Sequence, residues 1–474
     1  MQYKWVALTV TTVGMFMASL DESILTIGLP TVLQDLNTTV VHGIWIITGY
    51  RLMITTLLVL LGRLGDMHGR VRLYNMGFAV FTAGSLLCGF SATGEQLVAF
   101  RFLQGVGGAL LITNSAAIVT DSFPLNELGA GLGTNMVAYN TGAVFGYTLS
   151  GAMITLFGWR SIFFINVPIG VFGTFWAYKR LKELGKRNVG ERFDYVGSTL
   201  YCVALSIILY GMTIGNPLSL NNLSIIAFGL MLFLVFIIVE SRQKHPMLDL
   251  SLFKLRLFAA GNLSSFSNSL AYNCIPFIMG SLYLQLIKGY DPFTAGLMMI
   301  PMEAIVLVMS PISGRLSDKY GNRGFASLGL ALNAAAQLWL STLNEKSSYI
   351  VFLAGLSLFG FGRALFTSPN TSSIMGSVAA ERRGLANGVR TTLNQTGMVL
   401  SVPLSLLLMT SVIPYDMLSR LVSSTQLTGS EYYTFLAALN RASLILGVIT
   451  LVAIIPSLLR GPRAHTALNL RKDT

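Results

Sequence analysis

The chain has 474 residues, 53% of them hydrophobic and only 11% charged, against roughly 25% charged in an ordinary soluble domain. A mean hydropathy of +0.65 therefore excludes a water-soluble fold of this size and makes a lipid bilayer the expected surroundings. The net charge of +12 would suggest nucleic acid in a soluble protein, but here the basic residues need only gather at one membrane face, so no nucleic-acid partner is expected.

Lys4 is followed by a hydrophobic stretch too long for a signal-peptide core, then by Asp21 and Glu22 where a cleavage site would need small residues. The first segment is thus expected to stay as a span. With about 20 apolar residues needed to cross roughly 30 Å of hydrocarbon, fourteen spans are predicted in chain order. They cover 5–29, 43–63, 73–91, 96–117, 130–152, 161–181, 195–215, 223–241, 258–281, 294–313, 324–343, 349–369, 388–412 and 438–460. The fold class is an all-α integral membrane protein.

With the N-terminus cytoplasmic, the inner segments and span edges hold 24 of the 32 Lys and Arg residues. The outer ones hold five, Arg160, Lys288, Lys346, Arg420 and Arg441, and Arg51, Arg101 and Arg363 fall within spans. This bias puts both termini inside and requires an even number of spans, twelve or fourteen, of which fourteen is preferred.

The loop after span 2 runs from Gly62 through Gly65, Asp66 and Gly69 to Arg70, and the loop after span 10 carries Gly314, Asp318 and Gly321. The two align without a gap at an offset of 252 residues, which makes spans 1–6 and 9–14 parallel copies. Glycine permits a tight turn, and an aspartate beside arginines forms a breakable charge cluster at a helix end. Both loops are therefore expected to act as a cytoplasmic gate.

These residues resemble the major facilitator superfamily, in particular its fourteen-span drug/proton antiporters. The loop motif GxLaDrxGrr is matched at Gly62, Leu64, Gly65, Asp66, Gly69 and Arg70, and the first-span motif is similar to Leu20, Asp21, Ile24, Gly28, Leu29 and Pro30. Arg101, Gln104, Gly105, Gly107, Gly108 and Ala109 match the fourth-span motif, and Trp159–Pro168 looks like the family's entry into span 6. The antiporter motif of span 5 is present as Gly133, Gly142, Gly146 and Gly151, but Tyr147 replaces its proline and Ser150 a glycine. Small residues four apart favour close helix packing, while the missing proline weakens the inference of transport direction.

The resemblance implies two six-helix bundles with two extra helices between them: 1–193, an insert and linker over 194–256, and 257–474 with a cytoplasmic tail. Residues 182–193 and 242–257 are expected as cytoplasmic linkers, and the site of action as a multi-pass monomer in the cell membrane.

Charges inside the bilayer cost several kcal/mol and normally face a cavity or a partner. At about 1.5 Å per residue, Asp21, Arg51, Arg101 and Glu303 fall at similar depth toward the outer half, with Arg363 deeper. Asp21 and Glu22 are successive and point about 100° apart, so only one squarely faces a shared cavity. Asp21 is expected to pair with Arg51, leaving Glu303 free to bind a proton or a cationic substrate. The alternative is static pairing of Asp21 with Arg51, and of Glu22 or Glu303 with Arg101 or Arg363. Tyr50, Tyr139 and Tyr272 are candidate aromatic lining for a flat or cationic ligand.

Proton-coupled efflux of small lipophilic or cationic compounds by alternating access is the leading function, with transport of an organic anion or metabolite as the alternative. An ion-translocating subunit of a membrane complex needs buried lysines along a central polar axis, and the one lysine within the predicted spans, Lys179, stands two residues from the end of span 6. No enzyme activity, cofactor or metal is expected: the chain has no Walker-type, HExxH or Cys/His cluster. Cys88, Cys202 and Cys274 sit in apolar runs, and His42, His68, His245 and His465 in loops or the tail.

Overall fold

A computed structural model describes residues 2–124, 127–185, 194–243, 246–379, 382–423 and 429–460; His245 and His465 lie outside them. Helices α1 (Tyr3–Asp35), α2 (Val40–His68), α3 (Arg70–Gly89), α4 (Gly94–Ser122) and α5 (Leu128–Phe157) are followed by α6 (Ser161–Arg180), which is interrupted at Ile165. Next come α7 (Tyr195–Thr213) and α8 (Leu220–Arg242). Then follow α9 (Arg256–Ile287), α10 (Pro292–Tyr320), α11 (Asn322–Leu340), α12 (Tyr349–Gly376) and α13 (Arg383–Met409). A short helix, α14 (Tyr415–Ser423), precedes α15 (Gly429–Val452). No strand occurs among the described residues.

Among the described residues, twelve helices are long and apolar enough to cross a membrane. The two other segments expected as spans are α5 and α11, which are long helices packed along α1 and α12. They fall short in apolarity: α5 carries Asn135, Asn140, Thr141 and Ser150, and α11 carries Asn333 and Gln337.

The internal repeat is visible helix by helix. Shifting α2 by 252 residues gives the limits of α10, and the same shift takes the start of α3 to that of α11. The turns between them contain Gly69 and Gly321, with φ of 108° and 101°. An L side chain rarely tolerates such a backbone, so glycine at both places is what lets the chain reverse within one residue.

The two copies differ in their first helix. α1 runs unbroken through Pro30, whereas α9 is α-helical only to Tyr272 and continues from Pro276 as a wide π-helical segment. Pro276 has no N–H to donate and its ring crowds the preceding turn, which accounts for the change of winding there.

Contacts between the halves tighten on the face opposite the two glycine turns. Gln285 Nε2 donates to the Ile27 carbonyl at 2.9 Å, and Ser281 to that of Thr26. On the flank, a Cβ on Gly151 would strike the Phe293 backbone, and one on Gly296 the Tyr147 carbonyl, so these two glycines seat α5 on α10. The other flank, between α2 and α13, is covered by the α7/α8 pair: Trp45 Nε1 donates to Thr213 Oγ1 at 3.1 Å, and the Tyr201 and Thr396 hydroxyls are 2.5 Å apart. Leu52, Tyr201, Phe236, Val389 and Val399 form one buried apolar cluster there.

A candidate translocation site between two ion pairs

Asp21 and Glu22 leave α1 in different directions, and each finds its own arginine. Asp21, fully buried, accepts from Arg101 Nη1 at 2.6 Å, from Gln104 Nε2 at 2.7 Å and from Asn166 Nδ2 at 2.8 Å. Arg101 also donates to the Ile46 carbonyl at 3.0 Å and lies 4.3 Å from the Tyr50 ring centroid. This network ties α1, α2, α4 and α6 together inside the first bundle. The expected Asp21–Arg51 pair is therefore corrected, and so is Tyr50 as cavity lining, because its ring is fully buried beneath Arg101.

Glu22 takes the seam-facing direction. It forms an ion pair with Arg51 and accepts from the Tyr139 hydroxyl at 2.8 Å. The Arg51 guanidinium also meets the Asn273 side-chain oxygen once that amide is turned to satisfy both groups. Arg51 is thus held by one residue of each half.

In the second half, Glu303 is 2% exposed and pairs with Arg363 Nη1 at 2.6 Å. The expectation of a free Glu303 is corrected: Arg363, nominally deeper, reaches it because a guanidinium ends a long flexible stem. Only Oε1 of Glu303 is engaged, and Oε2 is buried with no hydrogen-bond partner. The Tyr272 ring lies 4.9 Å from the Arg363 guanidinium.

Tyr147 lies within reach of both pairs' charge. Its buried phenol on α5 lies in the field of Glu303, Arg363, Arg51 and Glu22 together. Its signal in the sequence was its place in the span-5 motif, where a proline is usual. Arg390 stands about two turns into α13, with its guanidinium on Asn387 Oδ1 at 3.0 Å.

The glycine expectations divide. Gly142 and Gly146 face the backbone of α1 at Phe16 and Leu20, but Gly133, expected as a packing glycine, has open space beside it. In the turns of α2 leading into the first loop, Gly62 and Gly65 abut Thr113 and Asn114 of α4. Arg70 bridges Asp66 at 2.7 Å and Asp121 at 2.6 Å. Glu183 accepts from the N–H groups of Arg70 and Val71, each at 3.0 Å, capping α3 with a negative charge at its positive end. Gly314 abuts Ser368 in the second loop, with Asp318 at the place equivalent to Asp66.

Compared with known proteins, the chain matches the Major Facilitator Superfamily over residues 11–259 and 261–472. It is 31% identical to the riboflavin transporter RibZ of Clostridioides difficile (strain 630) over 84% of this chain and 87% of that protein. It is also 31% identical to the multidrug resistance protein Stp of Mycobacterium tuberculosis, over 81% of this chain and 71% of that one. In fold it is similar to a bacterial homologue of the human lysosomal transporter Spinster in an inward-facing, unoccupied conformation, at TM-score 0.68 and 13% identity over 97% of both chains.

Proposed function

Because the chain belongs to the Major Facilitator Superfamily, we propose that it is a proton-coupled carrier that exports small organic compounds by alternating access. The observation that carries this reading is Glu303: a carboxylate buried at the seam, with one oxygen on Arg363 and the other without a partner. Proton arrival at Oε2 neutralises the acid, weakens its hold on Arg363 and shifts the balance between two bundle arrangements. Glu22 and Arg51 form the opposing pair, and Tyr139, Tyr147 and Tyr272 supply aromatic surface for a planar substrate.

Drug efflux is supported by relatives named for resistance, among them the methylenomycin A resistance protein of Streptomyces coelicolor, 29% identical. In this reading α5 and α11 also cross the bilayer, giving fourteen spans as six, two and six over 1–193, 194–256 and 257–474. Both termini are cytoplasmic, and the carrier works as a monomer in the cell membrane. Asp66, Arg70 and Asp121 break and reform with each cycle, and the Asp318 loop answers them in the second half.

A second reading, transport of a flat heteroaromatic metabolite, is favoured by the charge balance of the site. Glu22 with Arg51 and Glu303 with Arg363 sum to zero, so a neutral ring system enters without breaking a pair. The experiment is substrate flux in proteoliposomes under an imposed pH gradient, with a cationic dye and a flavin in parallel. Flux of either that is indifferent to the gradient, in wild type and in Glu303→Gln alike, refutes the coupling.

A further inference from the structure

Far from the central seam, the inserted helices carry a second pair of buried acids. Asp194 caps the start of α7 and is 4% exposed; Glu240, in the last turn of α8, is 2% exposed. Each has one satisfied oxygen: Asp194 Oδ1 accepts from the Gly197 N–H at 2.8 Å and from Gln243 Nε2 at 3.1 Å, and Glu240 Oε2 from the Leu248 N–H at 3.3 Å. The remaining two, Asp194 Oδ2 and Glu240 Oε1, are buried without a partner. Both border the position that a Cβ on Gly197 would take, so they face one another across a space kept open by glycine.

Two carboxylates that point their free oxygens at one another out of water cannot both stay ionised. We propose that Asp194 and Glu240 share one bound proton, forming a proton site separate from the central pairs. The donor set favours a proton over a metal ion. A hard cation needs six or more oxygens, or several retained waters, whereas the other groups around this pair are N–H donors.

The site sits at the base of a strap. The Pro246 carbonyl accepts from Arg63 Nη2 at 3.0 Å, the Leu248 N–H is held by Glu240, and Asp249 pairs with Arg382 at the start of α13. Residues 246–249 therefore touch the first bundle, the insert and the second bundle in succession. Arg63 and Arg382 face this strap and are engaged with it. Arg242 follows on α8 and is exposed, while Lys244 and His245 lie outside the described residues. The shared proton keeps the Glu240 carboxyl fixed beside Asp194 and so keeps the strap docked on the insert.

Infrared difference spectra of the full-length protein in nanodiscs, titrated from acid to alkaline pH, test this directly. A protonated-carboxyl carbonyl band at neutral pH is expected, lost in Asp194→Asn and lost in Glu240→Gln, but retained in Glu303→Gln and in His245→Gln. Size-exclusion profiles establish that each variant is folded, and Glu240→Gln, whose amide can donate to Asp194, retains the packing. The proposal is overturned if the band survives both substitutions. It is equally overturned if sodium or calcium, rather than pH, displaces the band at fixed acidity. Retention of the band in Glu303→Gln alongside its loss in the two insert variants separates this site from the central coupling reading.

Discussion

Arg51 and Glu303 occupy equivalent positions, 252 residues apart on the equivalent helices α2 and α10, and carry opposite charges. Each is neutralised within its own half, by Glu22 and by Arg363. The repeat thus keeps the position of a charge while inverting its sign, and gives two complete ion pairs whose fields both reach Tyr147.

The Glu303–Arg363 pair is expected to be strongly asymmetric under mutation. Removing one partner leaves an uncompensated buried charge and costs about 3–5 kcal/mol, whereas replacing both with apolar residues of similar volume is often nearly neutral. Glu303→Met and Arg363→Met should each lower thermal stability in detergent, and the double variant should recover most of the loss. A double variant as unstable as the sum of the singles would show that the two side chains act independently.

Asp21 and Glu22 should separate cleanly into framework and function. Asp21→Asn weakens a network joining four helices, so lower melting temperature and yield are expected. Glu22→Gln keeps the hydrogen bond from Tyr139 and leaves Arg51 with the Asn273 side-chain oxygen but no counter-charge, so a smaller fall in melting temperature than in Asp21→Asn, with a larger loss of substrate flux, is expected. Thermal melts beside dye efflux from the same preparations make the comparison.

How much of this was legible in the sequence depends on the feature. The succession of apolar helices, the two glycine turns and the presence of acids in the first helix follow from hydropathy and from the repeat, both of which are local. That Asp21 and Glu22 must diverge was also legible, because successive helical residues do. Which of them turned inward was not: the choice depends on Arg101, Gln104 and Asn166, eighty and more residues away, converging on one side of α1. In the sequence Tyr147 stands out only as a missing proline. Its position against Glu303 and Arg51 exists only once α5 and α10 are packed together.

That packing makes Gly151 and Gly296 sensitive positions. A Cβ at either meets backbone of the opposing helix, which cannot swing aside as a side chain end can. Gly296→Val should part α5 from α10. The expected readout is faster labelling of a cysteine placed at Thr26 by a membrane-impermeant reagent added from the side opposite the glycine turns. Unchanged labelling would mean that the seam adapts without opening.

Asp291 caps the helix that bears Glu303. Its carboxyl is held below the usual carboxylate range by the hydroxyl of Thr294, with further help from the N–H groups of Thr294 and Phe293. Because the folded value is depressed, the stabilisation is present above the unfolded value of about 4 and fades as pH falls through the folded one. Asp291→Ala should cost about 0.5–2 kcal/mol, the usual range for a lost cap, with the difference from wild type shrinking only in strong acid. A difference that instead vanished near neutral pH would assign the effect to another group.

The placement of α7 and α8 has a consequence for the molecule's surroundings. One border between the bundles, along α2 and α13, is roofed by Tyr201, Trp45 and their neighbours. The other, along α5 and α10, leaves Phe293 and Leu297 exposed. Looked at along the membrane normal, the protein has a sealed side and a bare side. The border on which Tyr147 lies is therefore the one without a helical cover among the described residues.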